Sequence, residues 1–364
     1  MPTVRHAALV LGLSVAIALS ACGGSSGGPP PATSLYVRAS GNDTNSGGSP
    51  ATALKTIARA VQLAPSGSRI IVGPGTYNEG VTAASVLAFF ADTSGAFTQD
   101  PPGAVVIDLS GLQEPGFELS SSKGSLIDGF TIKHAADAGI VLKGSSDSSI
   151  IQDCTISLTV GDGIRLQDSS NVLVFNNLVY DNAGTGIGVG AATVGSANAK
   201  IVNNTIFGNS TRGITVGDAA PKPASPGTFI RNNIIQNNVG DASIEVFTGS
   251  DVGYDEDFDL VTPATFLPVS PDLSGKHDFR DVDAQFVGPT RGDFHLSSSS
   301  PAIDEGDTSD LVHKTMTVDS NGQPISISVF LKGRTTTGGT VCDLKAPDLG
   351  FHYAVIGRCT VGGA

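Results

Sequence analysis

The sequence predicts an all-β solenoid, in which short strands wind into coils and the coils stack into one column. Five six-residue segments share one apolar pattern, and their last residues lie 24, 23, 27 and 29 positions apart. A second apolar motif follows each segment, and Asn, Asp, Gly and Ser separate the two. One repeat of this kind cannot bury its own apolar side, whereas stacked repeats share a continuous interior.

Each repeat holds two or three strands. Apolar residues occupy alternate positions, which is the period of a strand and not that of a helix. Asp153, Asn176, Asn203 and Asn232 share one position of the first motif, and we expect their side chains to hydrogen-bond along the stack. The first motif occupies 127–132, 151–156, 174–179, 201–206 and 230–235, and the second occupies 139–142, 163–166, 186–189, 213–216 and 243–246.

One short helix is expected before the coils. Leu54, Ile57, Ala58 and Val61 follow the i, i+3, i+4, i+7 spacing of an amphipathic helix. Unpaired strand edges at the end of a column invite aggregation. We therefore predict that this helix caps the N-terminal end of the column.

The repeats resemble single-stranded right-handed parallel β-helix proteins of the pectate-lyase-like type. The resemblance covers about residues 35–355, and within it 36–79 looks like the N-terminal module of many secreted members. Residues 283–306 are similar to the closing module of surface-anchored β-helix proteins of the choice-of-anchor Q type, although 348–353 departs from the usual finish. The resemblance implies a fold and no single reaction, because this fold hosts lyases, hydrolases, epimerases and adhesins.

The N-terminal segment predicts export and anchoring. The apolar run from Ala7 to Leu19 has the length of a secretory core and is too short for a comfortable membrane span. Small residues before Cys22 resemble the bacterial lipobox, so we expect an acylated Cys22 that holds the protein at a membrane surface. The expected location is the bacterial cell envelope, at the outer membrane or the cell surface.

The predicted organisation has three parts. They are a lipoprotein signal peptide at 1–21, a Gly/Ser/Pro tether at 22–34 and the solenoid at 35–360. The solenoid divides into an N-terminal module at 35–82, regular coils at 83–250 and a closing module at 251–360.

Composition limits the partners. Hydrophobic residues make up 40% and charged residues 15% of the 364-residue chain, which is the opposite of a disordered composition. The net charge of −13 argues against nucleic-acid binding, and we expect a monomer. In an oxidising compartment we expect a disulfide between Cys342 and Cys359, whereas Cys154 fits a buried apolar position.

Residues beside the inward positions point outward and stack from coil to coil. This places Lys143, Asp162, Arg165, Arg212 and Glu245 on one long face. Coils repeat every ~4.8 Å, close to the length of a sugar unit, so the face suits an extended polysaccharide. We expect Lys143, Arg165, Arg212 and Glu245 to bind that polymer.

Three functions are open for this face: polysaccharide binding, a polysaccharide lyase, and a non-catalytic adhesin or structural surface protein. In a lyase acting on uronic-acid polymers, a basic side chain removes the proton α to the carboxyl group. Arg165 or Arg212 would be that base, and Asp162 is the third catalytic candidate. Inserts at 190–199 and 217–227 would form the walls of a groove.

An acidic stretch after the last regular repeat is the metal candidate. Asp255, Asp257 and Asp259 alternate, so they would face one side of an extended segment, and their hard oxygen atoms suit Ca²⁺. Leu260 and Phe266 stand where a calcium loop has Gly and Glu. A polar connecting strand is therefore the alternative, and Ca²⁺ is the only cofactor that the sequence suggests.

Overall fold

Three parallel β-sheets follow the long axis of the solenoid. The computed structural model describes residues 33–267, 273–309, 312, 315–319, 321–331, 334–337 and 346–354. From one coil to the next, strands pair in register, residue for residue. The predicted all-β parallel solenoid is confirmed.

The chain visits sheets I, II and III in turn. Sheet I contains β1 (Ser34–Val37), β2 (Ser68–Val72), β5 (Leu87–Ala91), β8 (Leu126–Asp128), β11 (Ile150–Gln152), β14 (Leu173–Phe175), β17 (Lys200–Val202), β20 (Phe229–Arg231) and β23 (Asp255–Asp257). Sheet II contains β3 (Gly75–Tyr77), β6 (Val105–Asp108), β9 (Thr131–Lys133), β12 (Thr155–Ser157), β15 (Leu178–Tyr180), β18 (Thr205–Phe207), β21 (Ile234–Gln236), β24 (Leu260–Thr262) and β26 (Phe279–Arg280). Sheet III contains β4 (Val81–Ala83), β7 (Phe117–Ser120), β10 (Ile140–Lys143), β13 (Ile164–Gln167), β16 (Ile187–Gly190), β19 (Arg212–Val216), β22 (Ala242–Val246) and β25 (Phe266–Leu267).

Shorter elements flank the column. They include the helices α1 (Ile57–Leu63) and α2 (Ile327–Leu331), with 3-10 turns at Pro50–Thr52 and Pro289–Arg291. The antiparallel pairs are β27 (Phe286–Gly288) with β28 (Asp293–Leu296), β29 (Met316–Val318) with β30 (Pro324–Ser326), and β31 (Arg334–Thr335) with β32 (Tyr353–Ala354).

The interior of the column is built from the predicted apolar positions. Fully buried side chains stack as Ile127, Ile151, Val174, Ile201 and Ile230 in sheet I, as Ile132, Ile156, Val179, Ile206 and Ile235 in sheet II, and as Ile140, Ile164, Ile187, Ile214 and Ile244 in sheet III. Burying one such side chain contributes roughly 1.5–3 kcal/mol. Stacking therefore stabilises strands that are too short to be stable alone.

The predicted N-terminal helix is present, but it begins later than the apolar spacing suggests. The side chain of Thr56 accepts a backbone N–H of the first turn at 3.2 Å, so α1 begins at Ile57. Glu79 accepts the first two helical N–H groups at 2.8 and 2.9 Å. Leu54 instead forms an isolated parallel bridge with Val37.

The C-terminal residues cover the outside of sheets I and II. On sheet I, α2 places Phe330 edge-to-face with Phe175, with ring centroids 5.0 Å apart. On sheet II, the β27–β28 hairpin packs Phe286 and Phe294 against Phe207, at 5.8 and 5.2 Å. The repeat pattern did not predict α2, because its apolar residues contact the outer and not the inner side of a sheet.

Two lines of buried amides run through the turns. From Asn177 through Asn204 and Asn233 to Asp259, each Nδ2 donates to the next Oδ1, at 3.0, 3.0 and 2.8 Å. The second line comprises Asn182, Asn209 and Asn238. These bonds satisfy polar groups that the stacked coils bury.

The position predicted to form a side-chain ladder, occupied by Asp153, Asn176, Asn203 and Asn232, mainly contacts the C-terminal segment instead. Asn176 does bind Asp153, at 2.6 Å. However, Asn176 and Asn203 each donate to a backbone carbonyl of 346–354 at 3.0 Å, and the Asn232 carbonyl accepts an N–H of the same segment at 2.7 Å. The continuous ladder lies one residue further along the chain, because these left-handed bend residues hold the C-terminal segment instead.

Some predictions concern residues outside the described ranges. Cys22 and the signal peptide fall in 1–32, and Cys342 and Cys359 also lie outside the described residues. The lipid anchor and the disulfide stay predictions. Cys154 is a buried free cysteine, as its apolar position suggested.

Candidate functional site

The predicted long face lies on sheet III, where an open cleft crosses several coils. The cleft has a volume of about 470 Å³. Its lining includes Asp162, Arg165, Arg212, Asp218, Lys222 and Phe247. Both predicted inserts contribute residues to its walls, so the outward charges of the repeats and the longer turns meet in one place.

Arg165 is held by two carboxylates at one end of the cleft. Its Nε donates to Asp162 Oδ2 at 2.7 Å, and its Nη1 donates to Asp137 Oδ2 at 3.0 Å. The other oxygen of Asp162 accepts the backbone N–H of Thr185 at 2.9 Å. Burial lowers the pKa of Arg165, but the two carboxylates outweigh burial and raise that pKa above its usual value. The guanidinium is therefore fixed in position and cationic.

Arg212 repeats this arrangement further along the cleft. Its Nη2 lies 2.8 Å from Asp241 Oδ1, and its Nε lies 2.8 Å from Glu245 Oε2. Burial raises the pKa of Glu245, although the charge of Arg212 opposes that change. Each arginine in the cleft is thus clamped between two acidic side chains.

The four predicted binding residues do not have equal positions. Arg165 and Arg212 line the cleft, and Glu245 lies behind Arg212 as its partner. Lys143 lies on the same sheet outside the cleft lining, with its Nζ 2.7 Å from Glu118 Oε1. The structure therefore brings the two arginines together with Asp162 and leaves Lys143 apart.

The cleft walls are tied together by backbone hydrogen bonds. Asp168 Oδ1 accepts the N–H groups of 192–195 at 2.9 to 3.1 Å. Burial raises the pKa of Asp168, but these donors outweigh burial and hold the pKa well below its usual value. Asp218 accepts the N–H of Ala191 at 2.6 Å, and Lys222 Nζ donates to the carbonyl of Ala191 at 2.9 Å. The insert 217–227 thereby holds the insert 190–199 in place.

The acidic stretch does not bring its three aspartates together. Asp255 Oδ1 lies 2.7 Å from Arg231 Nη2, and Asp257 Oδ2 lies 2.7 Å from His277 Nδ1. Asp259 is fully buried at the end of the amide ladder. The alternation ends because β23 stops at Asp257 and the chain turns before Asp259.

Asp259 instead has two acidic neighbours that sequence reasoning missed. One oxygen each of Glu256, Asp259 and Asp278 lies within 4.8 Å of the others. Glu256 pairs in register with Ile230, so the repeat pattern could have predicted that its side chain points inward. Asp278 comes close only through the following coil, and no spacing in the sequence indicates that.

Family comparisons agree with the observed architecture. Residues 104–223 match the family model "Right handed beta helix region", and residues 39–85 match "Protein of unknown function (DUF1565)". No curated protein matches the chain significantly. The fold is therefore a right-handed parallel β-helix, while the closing-module and lipoprotein assignments stay predictions.

Several solved structures of polysaccharide enzymes are similar at low identity. Pectate lyase Pel9A is 15% identical with a TM-score of 0.47, covering 78% of this chain and 93% of that one. A rhamnogalacturonan lyase is 14% identical (TM-score 0.36; 63% and 74% covered), and the periplasmic alginate epimerase AlgG is 18% identical (TM-score 0.34; 53% and 46% covered). Likeness this distant carries no argument about activity.

The described helices are short. Among the residues that the structure describes, no helix has the length and apolar character needed to cross a membrane.

Proposed function

We propose that this protein binds an extended polysaccharide along the sheet III cleft, through the hydroxyl groups of the sugar units. The observation that carries the proposal is the pair Arg165 and Arg212, each flanked by two carboxylates at 2.7 to 2.9 Å on one open face. Rigid donors and acceptors suit a repeating polymer, since neighbouring coils lie ~4.8 Å apart. Because these side chains are already fixed, binding would cost little side-chain entropy.

Charge balance supports a neutral polymer over a uronate polymer. The carboxylates in and behind the cleft are those of Asp137, Asp162, Asp218, Asp241 and Glu245, and the cations are Arg165, Arg212 and Lys222. A uronate would meet arginines whose charge is already neutralised, together with an excess of negative charge. A hydroxyl group can donate to a carboxylate and accept from an arginine at the same time.

Phe247 adds an apolar surface to this polar cleft. The residue is half-buried in the wall and lies beside Gly217. A Cβ added to Gly217 would come within 3.2 Å of the Phe247 Cβ. Aromatic side chains in binding sites contribute large apolar contact area at a fixed position. The C–H face of a sugar ring is the part of a carbohydrate that this surface would contact.

The lyase alternative is less well supported by the same contacts. A general base must release its own proton before it can take one from the substrate. The pKa of Arg165 is raised, and Arg212 contacts both Asp241 and Glu245. Both oxygens of Asp162 already accept hydrogen bonds. We therefore favour binding without turnover.

Affinity electrophoresis in gels that contain single polysaccharides tests this proposal. We expect neutral polymers such as xylan or glucomannan to retard the protein more than pectate or alginate. Phe247→Ala and Arg212→Gln should each weaken retardation by about tenfold, the effect of about 1.4 kcal/mol. Lys143→Gln is the matched control, because Lys143 lies on the same sheet outside the cleft.

Four outcomes would contradict the proposal. Equal retardation of wild type, Phe247→Ala and Arg212→Gln would remove the cleft as the site. Stronger binding to pectate than to neutral polymers would contradict the charge argument. Release of unsaturated uronate ends would show a lyase, and the absence of any polysaccharide binding would favour a structural surface protein or adhesin.

We also infer that the solenoid is held at a bacterial surface by acylated Cys22 and that α1 closes its N-terminal end. The lipobox-like sequence supports the first inference, and the packing of α1 on β1, β2 and β4 supports the second. Labelled fatty acid should enter wild type and not Cys22→Ser. Removal of 50–63 should cause aggregation if α1 protects the strand edges, and a monodisperse product would contradict that role.

A further inference from the structure

A carboxylate occupies the interior of the column at its C-terminal end. Glu256 on β23 pairs in register with Ile230 on β20, and Ile230 pairs with Ile201. Glu256 therefore stands where five preceding coils place Ile or Val, and only 5% of the residue is exposed. A buried carboxylate is costly unless a cation or proton compensates its charge.

Two further carboxylates converge on Glu256, and each of the three has one tethered oxygen. Glu256 Oε2 accepts the N–H of Gly275 at 2.7 Å, and Asp259 Oδ1 accepts from the backbone N–H and the Nδ2 group of Asn233 at 2.5 and 2.8 Å. Asp278 Oδ1 accepts the N–H of Asp259 at 3.2 Å. The protein thus fixes the direction of every carboxylate.

The remaining oxygens are buried and unpaired. Glu256 Oε1, Asp259 Oδ2 and Asp278 Oδ2 have no hydrogen-bond partner among the described residues. The hydroxyl of Tyr254 is also buried and unpaired there. Tyr254 packs against the interior core two residues before Glu256, the spacing that puts alternate side chains of an extended chain on the same side. This neutral oxygen is an observation independent of the acidic cluster.

The two arginines nearest to this group direct their hydrogen bonds elsewhere. Arg280 Nε lies 3.9 Å from Asp278 Oδ2, but its guanidinium donates to Ser274 and to the Gly275 carbonyl, the latter at 2.6 Å. Arg231 contacts Asp255 at 2.7 Å on the outer side of β23. Within the described ranges, three carboxylates thus share this interior with a single arginine at 3.9 Å from one of them.

We propose that Glu256, Asp259 and Asp278 bind a Ca²⁺ ion, with the Tyr254 hydroxyl beside it. Ca²⁺ takes oxygen ligands at about 2.3–2.6 Å, so oxygens on opposite sides of the ion lie at most about 5 Å apart. The 4.8 Å limit among the three carboxylates fits that separation. Mg²⁺ is disfavoured because it keeps several waters in a strict octahedron.

The ion would fasten the last coil of the solenoid. Glu256 belongs to β23, Asp259 precedes β24, and Asp278 precedes β26, the last strand of sheet II. The stretch 273–278 before β26 passes so close to β23 that a Cβ at Gly275 would lie 2.5 Å from Asp257 Cα and 2.7 Å from Asp278 Oδ1. Glycine at 275 therefore allows this stretch to bring Asp278 to the other two ligands.

Calorimetric titration and thermal unfolding of the full chain after EDTA treatment test the site. We expect saturable binding of a single Ca²⁺ per chain, a raised melting temperature with Ca²⁺ and no equal effect of Mg²⁺. Glu256→Gln and Asp278→Asn should weaken Ca²⁺ binding by more than about 100-fold, because even second-layer partners of a metal commonly contribute 10–100-fold. Asp255→Asn is the matched control, since it lies on the same strand and faces outward.

A second readout uses the terbium ion as a calcium substitute. The chain has no Trp and five Tyr, so tyrosine must sensitise terbium luminescence. We expect the signal to be lost in Tyr254→Phe while that variant still binds Ca²⁺. This readout keeps the proposal testable if Glu256→Gln fails to fold.

Several results would overturn the proposal. Wild type that neither binds Ca²⁺ nor gains stability from it would mean that the three carboxyl groups share protons instead. Ca²⁺ binding unchanged in both Glu256→Gln and Asp278→Asn, or lost in Asp255→Asn, would place the ion elsewhere. Equal binding of Mg²⁺ would remove the assignment to calcium.

Discussion

The backbone N–H and the side-chain amide of Asn233 both donate to one oxygen of Asp259. The backbone N–H and the Nδ2 group reach Asp259 Oδ1 at 2.5 and 2.8 Å. A carboxylate side chain has no N–H of its own, so the side-chain ladder stops there, and only the backbone N–H of Asp259 reaches the next coil, at Asp278 Oδ1. The line of amides through Asn204 therefore ends at Asp259, whose second oxygen is left for another partner. The interior ladder and the proposed ion site are parts of one structure.

Breaking the ladder in its middle should destabilise the column. Asn204 Oδ1 accepts the N–H and the Nδ2 group of Asn177, and Asn204 Nδ2 reaches Asn233. Asn204→Ala leaves several buried groups unpaired, each costing about 1–3 kcal/mol, so we expect a loss of at least about 3 kcal/mol. Urea denaturation measures the free energy of unfolding. Asn78→Ala is the control, because Asn78 is exposed and its side chain makes a single hydrogen bond. This variant should lose less than about 1 kcal/mol.

Glycines before the sheet III strands should tolerate no side chain. A Cβ at Gly186 would lie 2.5 Å from Ile206 Cγ2 and 2.7 Å from the carbonyl oxygen of Gly213. Gly186→Ala forces neighbouring coils apart, and overpacking of this kind costs about 1–3 kcal/mol. A thermal shift assay should report a clearly lower melting temperature than for Gly48→Ala, where a Cβ would meet no atom closer than 3.7 Å. Equal melting temperatures would contradict close contact between the coils.

The cleft wall formed by the insert 190–199 should loosen at low pH. The pKa of Asp168 lies below its usual value in the folded chain because backbone N–H groups of 193–195 bind its carboxylate. Its stabilisation is therefore full above the ordinary Asp pKa of about 3.9 and is lost as the pH falls below it. Asp168→Asn should lower the free energy of unfolding by about 2 kcal/mol at neutral pH. The difference in unfolding free energy between wild type and Asp168→Asn should shrink in denaturation series taken below about pH 4. A difference that stays constant with pH would contradict the role of the Asp168 carboxylate in holding this wall.

The C-terminal segment should be released when its bend contacts are removed. Asn176 Nδ2 donates to the His352 carbonyl at 3.0 Å, and Asn176 Oδ1 accepts the N–H of His352 at 2.6 Å. Asn176 has a φ of 54°, which glycine adopts without strain. Asn176→Gly should therefore leave the coils intact and speed amide hydrogen exchange at 351–353. Unchanged exchange there would show that these bonds do not hold the segment.

The sequence alone determined the solenoid and the sheet positions of its repeats. Ile and Val at alternate positions specify the interior because a slip of one residue would turn every apolar side chain outward. For the same reason the repeat placed Arg165 and Arg212 on sheet III, where the cleft lies. That information is local and repeats along the chain, so it can be read without coordinates.

Only the tertiary structure decided which charged groups meet. The partners of Arg165 and Arg212 come from neighbouring turns and coils, and the turns control their distances. Asp278 reaches Glu256 because the chain around Gly275, in the following coil, passes close to Asp257. Apolar stacking depends on period and is insensitive to exact turn shape, whereas an ion site depends on ångström distances between residues far apart in the chain.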